Sequence, residues 1–174
     1  AKSFEATVKG GGDLAVATTI WQTKPAGIQP FGNTSVEIID SQNTPQTIFF
    51  TRPVDQYIHV NVVYQLYDEE IFPSNGVEMI ARAINTYGQS LGVGEDVIPQ
   101  RLMAAVYNGV NGIGNLSITV GNTLSPNDTP VLSSNKISIG RKEESVFDVS
   151  RLTAIAGTCM YPVKIENHVE ISQD

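Results

Sequence analysis

Cysteine is almost missing from this chain: Cys159 is the only one in 174 residues. A single thiol excludes an intrachain disulfide and any zinc centre built on cysteine pairs. Charge is scarce as well, at 17% of residues against about 25% in typical domains. Basic residues are the scarcer sign, with 11 Lys+Arg against 18 Asp+Glu and a net charge of −7. That balance disfavours electrostatic binding of nucleic acid. No apolar run approaches 18 residues, so no membrane-crossing helix is expected. Leucine occurs only 8 times, whereas Val and Ile total 35. Stiff β-branched side chains suit strands, so a strong sheet component is expected. What remains is 41% hydrophobic with a mean hydropathy of −0.06. A chain of this length buries enough surface for one medium domain or two small ones without covalent staples.

The charge is unevenly placed. Residues 54–122 carry 7 acids and 2 bases, a local net of −5. A strand pattern starts at once, with Phe4, Ala6 and Val8 alternating with polar residues. The chain is therefore expected to be part of a longer protein or a processed product. Gly10-Gly11-Gly12 ends this strand, and Asp13 is placed to cap a helix that carries Leu14, Ala17, Ile20 and Trp21 at helical spacing. Residues 36–39 and 47–50 are predicted to form a hairpin across a turn-rich Asp40-Ser41-Gln42-Asn43-Thr44-Pro45 linker.

The clearest pattern lies at residues 57–67. Ile58, Val60, Val62, Tyr64 and Leu66 share one face of a long strand. A helix near 76–91 follows, capped by Ser74 or Asn75, with Val77, Ile80, Ala81, Ile84, Tyr87 and Leu91 as its stripe and Gly92 as its stop. Pro99 opens a second helix, near 100–108, which buries Leu102, Met103, Val106 and Tyr107. Leu116, Ile118 and Val120 mark another strand. Residues 121–135 are predicted to be a long polar loop, a length that is usually functional. A short strand at Ile137 and Ile139 and a mixed segment at 146–155 come next. In the terminal segment Val163, Ile165, Val169 and Ile171 alternate with Lys164, Glu166, His168 and Glu170 as an amphipathic strand.

The catalytic inventory is thin. His59 and His168 lie on polar strand faces without a metal-binding spacing, and Cys159 has no partner signature. No nucleophile elbow and no phosphate-binding P-loop is present. Gly10-Gly11-Gly12-Asp13 stands between a strand and a helix, where backbone N–H groups can hold phosphate. Asp13 would put a negative charge at that spot, and no Lys or Arg directly follows, so a tight turn is the simpler expectation. Asp68-Glu69-Glu70 lacks calcium-loop spacing and is expected to be a solvated turn. Trp21, Phe49, Phe50 and Tyr64 are expected in the core. No catalytic, metal-binding or cofactor-binding residue is assigned.

The order of motifs says more than any single residue. Val8-Lys9-Gly10-Gly11-Gly12-Asp13 leads into Val16-Ala17-Thr18-Thr19-Ile20-Trp21-Gln22-Thr23-Lys24-Pro25-Ala26-Gly27, followed by Gly32-Asn33 and Ile48-Phe49-Phe50-Thr51-Arg52-Pro53. Gly94-Glu95-Asp96-Val97 and the glycines from Gly109 to Gly114 continue the series. Across residues 4–155 this resembles the C-terminal portion of the baseplate J-like family, the wedge proteins of contractile phage tails and related injection machines. The resemblance implies a structural role without catalytic residues or cofactor. Its implied partners are other wedge subunits, copies of the same chain and the tail hub, in an oligomeric ring whose rearrangement is tied to sheath contraction. The implied location is the tail baseplate of a virion, assembled in the host cytoplasm.

The expectation is therefore an α+β chain. A β-α-β-β subdomain spans 1–53, and two helices packed on an antiparallel or mixed sheet span 54–155. Residues 156–174 form an extension without a counterpart in the resemblance. The expected contact residues are Asn122, Leu124, Val131, Val163, Ile165, Val169 and Ile171. The competing functions are a small-anion or nucleotide module built on Gly10–Asp13 and a tail module that binds host glycans through Tyr57 and Tyr67.

Overall fold

The computed structural model describes residues 2–157. Their fold is α+β in two subdomains, each around its own apolar cluster. The first cluster ends in sequence at Phe50 and the second begins at Ile58.

The first subdomain is built from β1 (Ser3–Glu5), α1 (Asp13–Thr23), β2 (Gln29–Phe31), β3 (Thr34–Ile39) and β4 (Pro45–Phe50). It has one strand more than the expected β-α-β-β unit: β2 pairs in parallel with β1. The hairpin is present, with β3 antiparallel to β4 and Val36 opposite Ile48. Asp40 closes its turn, accepting from the Gln42 and Thr44 N–H groups through Oδ1. Ala17 and Ile20 of α1 pack on Ile38, Ile48 and Phe50. Leu14 points outward and Trp21 is half-buried, so the helical stripe is narrower than its spacing suggests. Phe49 is exposed where Phe50 is fully buried, because neighbours on a strand face opposite ways.

The second subdomain is organised by β5 (Val54–Leu66). On one side β6 (Ile113–Thr123) runs antiparallel to it. On the other side β7 (Glu143–Val146) and β8 (Leu152–Ala156) follow one another, both parallel to β5. The sheet is mixed, and residues 146–155 resolve into the end of β7, a 3₁₀ turn (Val149–Arg151) and most of β8. Helices α2 (Gly76–Ser90) and α3 (Pro99–Gly109) cover the face that carries Ile58, Val60, Val62 and Tyr64. Leu66, at the end of that row, is only half-buried.

Pro99 occupies the first turn of α3, where its missing N–H costs nothing. Asn75 is the residue before α2 but makes no side-chain cap. Val77 in the first turn and Tyr107 near the end of α3 are exposed, so neither belongs to the buried stripe. Val97 and Ile137 pair as a single bridge, not as a full strand.

Candidate functional site

The Gly10–Asp13 turn forms as a tight turn, with Gly10 at φ 67° and Gly11 at φ 71°. Asp13 is the first residue of α1 and does not cap it; the cap position belongs to Gly12. Its carboxylate is drawn instead to Arg52, 39 residues away. All five N–H donors of that guanidinium are engaged: Nε and Nη2 on Asp13 Oδ1, Nη1 on the Val8 and Gly10 carbonyls, and Nη2 also on the Gly11 carbonyl. The guanidinium also lies 5.1 Å from the Phe50 ring centre. Asn33 holds the Arg52 backbone from the other side, with Oδ1 accepting its N–H at 3.0 Å and Nδ2 donating to its carbonyl at 3.4 Å. Carbonyl oxygens converge here on a resident cation. This geometry weighs against the small-anion alternative, which needs N–H groups converging on an open space.

His59 lies on the outer face of β5. Thr123 gives its single hydroxyl proton to the Ser125 carbonyl at 2.7 Å, so the 3.0 Å contact with His59 requires Nε2–H as the donor. Burial, and after it the positive charge of Arg151, holds the imidazole below its ordinary pKa of 6.5; Asp128 opposes them. A histidine kept neutral in the fold protonates first in the unfolded chain. Its contribution to stability is complete above pH 6.5 and falls as the pH drops from there towards the folded-state value. The thermal midpoint is expected to fall as the pH is lowered from 7 to 5.5. His59→Gln should flatten that slope, as read by calorimetry at several pH values. An unchanged slope would mean that His59 is not the group responsible.

Asp68 Oδ1 accepts from the Glu70 and Ile71 N–H groups, which makes the acidic trio a turn closed by its own carboxylate. Among the described residues no three His, Cys, Asp or Glu side chains are grouped to hold a metal ion. Tyr57 and Tyr67 are ten residues apart, about 33 Å along an extended strand. Arg151 covers the Tyr57 ring at 5.2 Å. The two tyrosines therefore do not make one platform for a sugar.

The expected contact residues divide into three groups. Asn122 is not in the loop: β6 runs on to Thr123, and Asn122 Nδ2 donates to Gln56 Oε1 at 2.8 Å. The buried Gln56 passes the chain on through Nε2 to Glu143 Oε1. Leu124 and Val131 stand out from the surface, at 72% and 90% exposure, and Leu132 beside them is exposed too. These apolar side chains are presented on a loop pinned at its far end. Ser133 and Val120 exchange both backbone hydrogen bonds, and Asp96 holds Lys136 Nζ at 2.6 Å and the Ile139 N–H at 3.0 Å. Val163, Ile165, Val169 and Ile171 lie outside the described residues, as do Cys159 and His168.

A further feature escaped the side-chain pattern: β6 is an edge strand of the sheet. No local signal could have found it, since residues Leu102 to Asn127 carry none of the charges that usually mark an edge. Compared with known proteins, the chain matches no family model and no curated sequence.

Proposed function

We propose that this chain is a non-enzymatic structural subunit of a contractile-tail baseplate wedge. In this role it joins copies of itself and other wedge subunits around the tail hub and takes part in coupling to sheath contraction. Its place is the tail baseplate of a virion assembled in the host cytoplasm.

The observation that carries the proposal is the union of the motifs behind the resemblance. Gly10–Asp13, Gly32-Asn33 and Arg52-Pro53 are separate in sequence, yet the guanidinium and backbone of Arg52 tie them into one network. Every donor of that guanidinium is used in holding the fold, so the motif series acts as a structural device that fixes the subdomain around α1. Leu124, Val131 and Leu132 on the pinned loop supply apolar contact surface of the kind that partners cover. The net −5 of residues 54–122 favours a more basic neighbour.

Antibodies raised against this chain should label the baseplate end of contractile particles by immunogold electron microscopy. Labelling that is absent from tails, together with a turnover activity in the purified chain, would overturn the proposal.

A further inference from the structure

The two apolar clusters are joined by one passage of the chain, through Arg52 and Pro53. Among the described residues, no helix or strand of the first subdomain packs broadly on one of the second. Each end of the passage is anchored to its own side. The Thr51 N–H donates to the Ala6 carbonyl, and the Thr51 carbonyl accepts the Val8 N–H. Asn33 holds the Arg52 N–H and carbonyl, while the guanidinium is held by the Gly10–Asp13 turn. On the other side, the Val54 N–H donates to the Lys142 carbonyl at 2.8 Å.

The peptide plane before Pro53 therefore belongs to the first subdomain, and the plane after it to the second. Peptide planes are rigid, so only φ and ψ of Pro53 lie between them. The pyrrolidine ring locks φ near about −65°. One soft torsion is left, Pro53 ψ, and rotation about it turns one subdomain against the other on a single axis.

Side chains meet across the boundary as charges. Lys142 Nζ lies 2.7 Å from Glu5 Oε1, and Lys9 Nζ lies 3.6 Å from Glu144 Oε2. Each side offers one acid and one base, so both pairs are matched in the same arrangement. The Thr51 hydroxyl also donates to Glu5 Oε1. The lysines are 57% and 43% exposed, which leaves both pairs open to screening by salt. Glu144 Oε2 is buried and accepts no hydrogen bond among the described residues, a cost that the present arrangement carries. Parting the pairs splits neither apolar cluster. Subdomains without a large apolar interface are free to move against each other.

We infer that Pro53 is a one-axis hinge, and that the Glu5–Lys142 and Lys9–Glu144 pairs are the ionic catch that holds it in the arrangement seen here. The hinge follows from the geometry. Its use rests on the wedge reading, in which contacts rearrange as the sheath contracts: the hinge re-aims one subdomain's surface without unfolding either core.

The test uses the full chain with Cys159→Ser and spin labels at Gln22→Cys on α1 and Gln89→Cys on α2, both exposed positions. Pulsed electron paramagnetic resonance should give one narrow distance at low salt. In about 1 M salt, where charges are screened within about 3 Å, the distribution should become about twice as broad. Lys142→Glu sets two acids face to face and should broaden it at low salt. Adding Glu5→Lys to that variant should restore the narrow distance. Pro53→Gly, which frees φ, should broaden it in both salts. One narrow distance in every salt and variant would overturn the inference. So would a charge-swapped protein that stays broad, since charge pairing would then not be the catch. Amide protection in β3–β4 and β5–β6 should persist throughout; its loss with the broadening would mean unfolding, and would overturn the hinge. A rigid chain that still labels tails removes the hinge and leaves the wedge reading. A hinged chain absent from tails does the reverse.

Discussion

Val62→Asp is expected to leave the second subdomain unfolded. Val62 is fully buried at the centre of β5, between Ile118 of β6 and Ala154 of β8. Replacing it loses about 1.5–3 kcal/mol of apolar burial. The carboxylate adds an effective penalty of several kcal/mol, because the described residues packed around it form an apolar cluster. The total reaches the low end of the 5–15 kcal/mol by which domains are normally stable. Amide exchange should show loss of protection through β5, β6, α2 and α3, with Val62→Ala as the milder control at about 2 kcal/mol. A Val62→Asp protein that keeps those amides protected would mean that this face is not the core.

The second large effect falls on the other cluster. A Cβ added at Gly32 would sit 2.1 Å from the Phe50 carbonyl carbon and 2.2 Å from its oxygen. Those are backbone atoms of β4, whose neighbouring side chain is fully buried, so nothing flexible is available to move aside. Gly32→Ala should cost about 3 kcal/mol, the upper end of overpacking penalties. A subdomain of about fifty residues has little reserve against such a loss. The two clusters share no residue. The ion pairs Lys142–Glu5 and Lys9–Glu144, together with backbone continuity, link them. Exchange protection is therefore expected to vanish in β3 and β4 while the β5–β6 ladder persists. Loss of both regions together would show that the subdomains fold as one unit.

Local features of the chain were readable because their causes are local. The alternation at Ile58, Val60, Val62 and Tyr64 names a half-buried strand whatever lies opposite it. Pro99 marks the start of α3 through its own ring, and the turn residues 40–45 impose the hairpin between two β-branched runs. β2 was not readable: it has three residues with Pro30 in the middle, a composition that argues against a strand unless it lies at an edge. β7 reads Glu-Glu-Ser-Val, with no apolar alternation to announce it. Its pairing with Val54–Tyr57 joins residues nearly ninety positions apart. Asp13 carries the chemistry of a helix cap, and only the arrival of Arg52 shows why it is used otherwise. Val77 and Tyr107 fit their helical stripes by spacing, but a stripe does not say where the neighbouring element stops covering it.

By itself the sequence determined the class of fold, the two apolar clusters and the surface poor in charge, since each follows from residue type and short-range period. The tertiary structure decided what those pieces are for. It made Arg52 the tie between distant glycine motifs, carried β6 through Asn122 and set that strand at one side of the sheet. Hydrogen-bond partners far apart along the chain, and the order of strands in a sheet, are set by how elements pack together; no window of neighbouring residues contains them.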